Sequence, residues 1–137
     1  QAAAACFLGS SAAGGGFGER FNIQSTGNAW LQGTLTQASD ARLKTNIHTL
    51  NSSLTNIQKL NGYSYNWIDK SKDNSLQFGL LAQEVQKIYP ELVKENDKGE
   101  LSVNYTGLIP VMIESIKEQQ KQIDELKKLV EKLISNK

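Results

Sequence analysis

The sequence is poor in the side chains that most often do chemistry or hold metals. Its 137 residues include one cysteine, Cys6, and one histidine, His48. A lone cysteine excludes an intrachain disulfide and a cysteine-based zinc site, and a lone histidine excludes a histidine-rich metal cluster. Neither a metal nor a cofactor is therefore expected. A charge excess is also missing: 15 Lys and Arg stand against 14 Asp and Glu. No net field draws the chain to nucleic acid or to an anionic membrane, and neither is an expected partner. No apolar run approaches the roughly 20 residues that span a bilayer, so a soluble chain is expected. The sequence starts at Gln1 without methionine, and "QAAAACFLGSSAAGGG" has neither the basic start nor the apolar run of a signal peptide. The expectation is a piece of a longer protein.

What remains is enough for one modest domain and an appendage, since 39% of the residues are hydrophobic. Five of the eleven glycines lie before residue 20, dense enough to weaken any regular helix and to suggest a linker or irregular collar. "FNIQSTGNAWLQGTLTQ" then sets Phe21, Ile23, Trp30 and Leu35 in short runs broken at Thr26-Gly27-Asn28 and Gly33. That pattern predicts two or three short strands. Further on, Leu50, Leu54, Ile57 and Leu60 have helical spacing, with Asn51 or Ser52 as N-cap and Asn61-Gly62 as stop. "YSYNWID" alternates Tyr63, Tyr65 and Trp67 on one strand face, for which core packing is preferred over a sugar-stacking platform. A strand around Phe78 to Leu81 leads into a helix that Pro90 stops. A hairpin pairs Leu92 to Lys94 with Leu101 to Tyr105 around Asn96-Asp97-Lys98-Gly99.

The last segment has the most sustained pattern. From Thr106, read as an N-cap, neither glycine nor proline interrupts the chain after Pro110. Ile109, Ile116, Ile123 and Val130 fall at heptad position a, and Met112, Gln119, Leu126 and Leu133 at d. A helix of about 30 residues rises roughly 45 Å, more than a small domain needs, so its distal half is expected to pack on copies of itself. β-Branched residues at a with leucine at d suit two strands, whereas Gln119 in the seam leaves three open. The plainer alternative is a solitary helix packed on its own domain.

Catalytic candidates are few. A Ser-His-Asp arrangement would have to use His48, and nothing marks its pairing with Ser39. A serine and lysine five residues apart, Ser39 and Lys44, can act as nucleophile and base if the ammonium loses its proton beside a second cation such as Arg42. Spacing alone leaves Lys44 an ordinary surface charge.

"SDARLKTNI", "LNGYSYNW", "FGLLAQEVQKIYPELV" and "NYTGLIPVMIESIKEQ", in this order, resemble the intramolecular chaperone auto-processing domain of bacteriophage tail spikes such as endosialidases (peptidase S74 family). The resemblance implies an α+β fold with three parts: the end of a glycine-rich β-stalk (1–38), the chaperone domain (39–121) and a distal helix (122–137) forming a trimeric coiled coil. It implies a homotrimer whose folding client is the upstream stalk of the same polypeptide. Such a tail fibre or spike precursor is made in the host bacterial cytoplasm and releases its chaperone part by self-cleavage.

The same resemblance places the nucleophile on Ser39 and the base on Lys44. The cut falls at Ala38-Ser39, with Ser39-Asp40 as the poorer geometric choice, and Asp40, Arg42, Gln83 and Glu84 are supporting candidates. Many members carry a histidine just before the "GxxAQE" motif, where this chain has Gln77 or its neighbour, so slower cleavage is an expectation. The rival reading is a structural trimeric foot that never cleaves. A sugar- or receptor-binding fibre tip ranks last.

Overall fold

A computed structural model describes residues 21–23 and 28–136; the glycine-rich collar expected before residue 20 lies outside them. The chain divides into two compact units, Gln1–Ser39 and Asp40–Lys137. In the first, strands β1 (Phe21–Ile23) and β2 (Ala29–Leu31) pair antiparallel, with Asn22 opposite Trp30. The run around Leu35 forms no third strand, and Leu35 is exposed.

The second unit is α+β. After a 3₁₀ turn at Ala41–Leu43 come α1 (Ser53–Ile57), β3 (Tyr63–Tyr65), β4 (Gln77–Gly79), α2 (Ala82–Ile88), β5 (Val93–Glu95), β6 (Leu101–Val103) and α3 (Leu108–Ser135). Two separate antiparallel pairs, β3–β4 and β5–β6, replace any larger sheet. Two-stranded pairs are marginal alone, and helices supply the covering layer. α1 packs on the start of α3, and α2 packs beside the β5–β6 hairpin. The core is small: Val85 of α2 and Leu108 and Val111 of α3 are its buried apolar residues.

Several boundaries differ from expectation for identifiable reasons. α1 is shorter than the spacing from Leu50 to Leu60 suggested, and Leu50 stays outside it, exposed. Ser52 precedes α1 in a left-handed conformation and makes no side-chain cap. The cap is the Glu118 carboxylate of α3, which accepts from Ser53 N–H and Leu54 N–H at 2.9 Å each. Two free donors at a helix start can be satisfied by any acceptor brought there, and here a residue far along the chain provides it. The aromatic strand is less buried than expected: Tyr65 is half-buried, while Tyr63 and Trp67 are exposed. Trp67 packs edge-on against Tyr65 and beneath the Lys72 ammonium, 4.1 Å from the ring centre.

Thr106 is not the cap of the long helix. A 3₁₀ turn at Tyr105–Gly107 comes first, capped by Asn104, whose side-chain oxygen accepts from Gly107 N–H at 3.2 Å. α3 then runs 28 residues without interruption, about 42 Å at 1.5 Å per residue. Turn chemistry in the β5–β6 hairpin follows expectation. Gly99 has φ of +77°, a conformation glycine adopts without penalty. The Asn96 side-chain oxygen accepts from Lys98 N–H and Glu100 N–H.

Candidate functional site

The first motif holds a tight charged turn. Asp40 caps the 3₁₀ turn from an extended conformation, its carboxylate accepting from Arg42 N–H at 2.8 Å. The same carboxylate takes the Arg42 guanidinium in a forked pair, 2.6 Å from Nη2 to Oδ2 and 3.1 Å from Nε to each oxygen. That guanidinium holds the Asp40 carboxyl below its ordinary value, and Asp40 in turn holds Arg42 above its own. Of the supporting candidates, these two are brought together as the elements of a turn. Lys44 follows directly, its N–H donating to the Ala41 carbonyl at 3.1 Å as the chain becomes extended. Ala38 and Ser39 end the first unit, and both they and Lys44 are exposed.

The other three motifs hold one another. Glu84 of α2 accepts from Tyr63 O–H at 2.8 Å and from Asn61 Nδ2 at 3.3 Å, joining the "NGY" of the second motif to the "AQE" of the third. Donation to this carboxylate holds the Tyr63 hydroxyl above its ordinary value. Gln83, its neighbour, is exposed on α2. Tyr105 of the fourth motif reaches back so that its hydroxyl accepts from Leu80 N–H at 2.9 Å. Gly79 leaves room for that ring: a Cβ there would lie 2.7 Å from the Tyr105 hydroxyl and 3.3 Å from Tyr65 Cε1. Gly107 has the same steric reason, since a Cβ would collide with Leu92 Cδ2 at the end of the third motif. Gln77 donates its amide to the Ser75 hydroxyl at 2.9 Å and carbonyl at 3.2 Å.

Two apolar surfaces flank this framework. One is an open groove of about 630 Å³ bounded by Ile57 at the end of α1 and Leu60 beyond it, Phe78 and Leu80 around β4, Tyr105 before α3 and Met112 on it. The other is the a/d face of α3. Ile109, Met112, Ile116, Ile123, Leu126, Val130 and Leu133 are all exposed in the single chain, and so is Gln119 between them. Among the described residues, no group of three or more His, Cys, Asp or Glu is placed to hold a metal ion, and no helix is long and apolar enough to cross a membrane.

Sequence reasoning had no means of finding Glu118 and Tyr105. Each is joined to a partner 25 to 65 positions away, and local patterns carry no trace of such a contact.

Comparison with known proteins gives this framework a class. Residues 39–94 match the peptidase S74 family model, described as chaperone of endosialidase, so the resemblance read from the motifs holds over that segment. The match begins at Ser39 and spans the first three motifs. The curated relatives are long tail fiber proteins Gp37 of phages. That of Salmonella phage S16 is 33% identical over 128 residues, covering 82% of this chain and 17% of the relative. The protein of Escherichia phage AR1 is 36% identical over 87 residues, 58% of this chain and 8% of the relative. That of Enterobacteria phage K3 is 31% identical over 94 residues, 64% of this chain and 8% of the relative. The chain therefore spans less than a fifth of the curated relatives it matches.

Proposed function

We propose that this chain is a C-terminal intramolecular chaperone that trimerises and assists folding of an upstream β-rich tail fibre or spike, then frees itself by Ser39–Lys44 autoproteolysis near Ala38-Ser39. The observation that carries the reading is the chaperone-of-endosialidase match beginning at Ser39. The exposed a/d face of α3 supports the self-association. Tail fibre proteins among the relatives support the kind of client.

In the proposed reaction, Lys44 acts as the base that takes the Ser39 hydroxyl proton while the oxygen attacks the Ala38 carbonyl carbon through a five-membered ring. The tetrahedral oxyanion collapses as the C–N bond breaks, and the proton passes from Lys44 to the leaving Ser39 amine. An ester now joins Ala38 to the Ser39 oxygen. Water hydrolyses it to the Ala38 carboxylate and restores the hydroxyl. Each chain turns over once. Asp40 and Arg42, tied to each other, shape the turn between nucleophile and base. The precursor is assembled in the host cytoplasm and the chaperone part departs after the cut.

Gel analysis of the purified chain beside Ser39→Ala and Lys44→Ala tests the cleavage. The unaltered chain is expected to yield a fragment of about 11 kDa, the share of 15.1 kDa carried by residues 39–137, and both variants to remain whole. Absence of that fragment from the unaltered chain would sink self-cleavage and leave the non-cleaving trimeric foot.

A further inference from the structure

The exposed apolar face of α3 runs without a break into the domain groove, and we infer that the groove of each copy receives the Ile109–Ile113 edge of the next copy's α3. This inference rests on the self-association proposed above and says where the domains themselves take part in it. Around a helix the heptad positions follow the order a, e, b, f, c, g, d. With Ile109 at a, the buried residues Leu108 and Ser115 fall at g and Val111 at c. Glu118, tied to the start of α1, is also at c. The chain's own domain therefore covers the c and g side, and the arc through d, a and e is left bare.

The two flanks of that arc differ. On the d and g flank, Met112 and Leu108 line the groove. On the other flank, position e holds Ile113, 49% exposed. Positions e and g of a self-sufficient coiled coil usually carry charges that pair between helices. Here e and g from 113 to 134 are Ile113, Ser115, Gln120, Gln122, Lys127, Leu129 and Ile134, with one charge among them. Copies running parallel around a cyclic axis bring the a and e flank of one helix against the d and g flank of the next. Such a head-to-tail contact repeats and closes as a ring. Ile109 and Ile113, one turn apart, then face the groove, and Phe78 at its rim, 79% exposed in the single chain, is covered.

Cross-linking of the full chain with a short bis-maleimide tests this, in a Cys6→Ser background that carries Phe78→Cys together with Ile113→Cys. The expected result is a covalent ladder up to trimer, at least tenfold more abundant than from either single variant. Moving the second cysteine to Ile134→Cys, the same face but about 31 Å along the helix, should remove the ladder. Sedimentation of each protein before reaction separates the two claims. A trimer without the ladder overturns groove docking while self-association stands; a monomeric Cys6→Ser parent overturns both. Ile113→Asp gives a second readout free of cysteines. It should weaken association at least tenfold while Ile113→Met does not, and association of Ile113→Asp equal to the parent would overturn the inference.

Discussion

The two halves of α3 share one heptad pattern but have different surroundings. From Leu108 to Glu118 the helix has a second, inward side: Leu108, Val111 and Ser115 are buried and Glu118 caps α1. From residue 119 to 136 every position is exposed, including Ile123, Leu126, Leu129, Val130, Leu133 and Ile134. The inward c and g stripe ends where the domain ends, while the a and d stripe continues. Among the described residues the pattern outlasts the surface that could cover it, which is what the proposed self-association uses. The first half is therefore a domain helix with a spare face, and the second half has only that face.

The largest effect should come from the proposed seam. Replacing Ile116 and Ile123 together by Asn is expected to dissociate the assembly, at roughly 1.5 to 3 kcal/mol per buried aliphatic side chain. Sedimentation should then show monomer. Circular dichroism should lose helix equivalent to the distal half, because an isolated helix of that length is marginal in water; the first half should persist on its domain. An unchanged mass would contradict the seam. A smaller effect is expected on the inward side. Glu118→Ala leaves Ser53 N–H and Leu54 N–H without their acceptor and should cost about 1 to 3 kcal/mol, read as a lower midpoint in thermal unfolding. Glu118→Gln keeps one acceptor oxygen and should lose less. Equal midpoints for Glu118→Ala and the parent would mean that water replaces the carboxylate at no cost.

The smallest effect lies outside the helix, at the charged turn. Asp40 is held below its ordinary value by Arg42, so the folded turn binds its proton less readily than the unfolded chain does. The contribution is complete above the unfolded aspartate value, near 3.8, and is lost as pH falls through the lower folded value. Arg42→Ala should move the Asp40 carboxyl titration, followed by NMR, upward to the ordinary value. No movement would show that the pair seen in the structure does not persist in water.

Legibility followed the distance over which each feature is decided. The α2 helix and its stop at Pro90 were readable because periodicity and proline act within a few residues. The β5–β6 hairpin was readable for the same reason, its turn set by Asn96 and Gly99. α1 is shorter than the spacing suggests because Leu50, 42% exposed, stays outside the helix and the cap arrives from Glu118, far along the chain. Thr106 fits an N-cap although Asn104 first closes a 3₁₀ turn, a choice local propensity barely separates. In the candidate site, Asp40 and Arg42 are legible only as supporting candidates, and their forked pairing within one turn came from the structure. The Glu84 tie to Asn61 and Tyr63 was not legible, because its partners lie more than twenty positions away.

The sequence by itself determined the long heptad helix, the scarcity of metal ligands, the Ser39 to Lys44 motif and its family resemblance. All of these are matters of composition, period and order along the chain. Only the tertiary structure decided which side of α3 the domain covers, which side chains Gly79 and Gly107 leave room for, and that Met112, exposed on α3, also lines a groove. Those depend on which surfaces meet in space, and excluded volume and buried donors act between residues that the order of the chain keeps far apart.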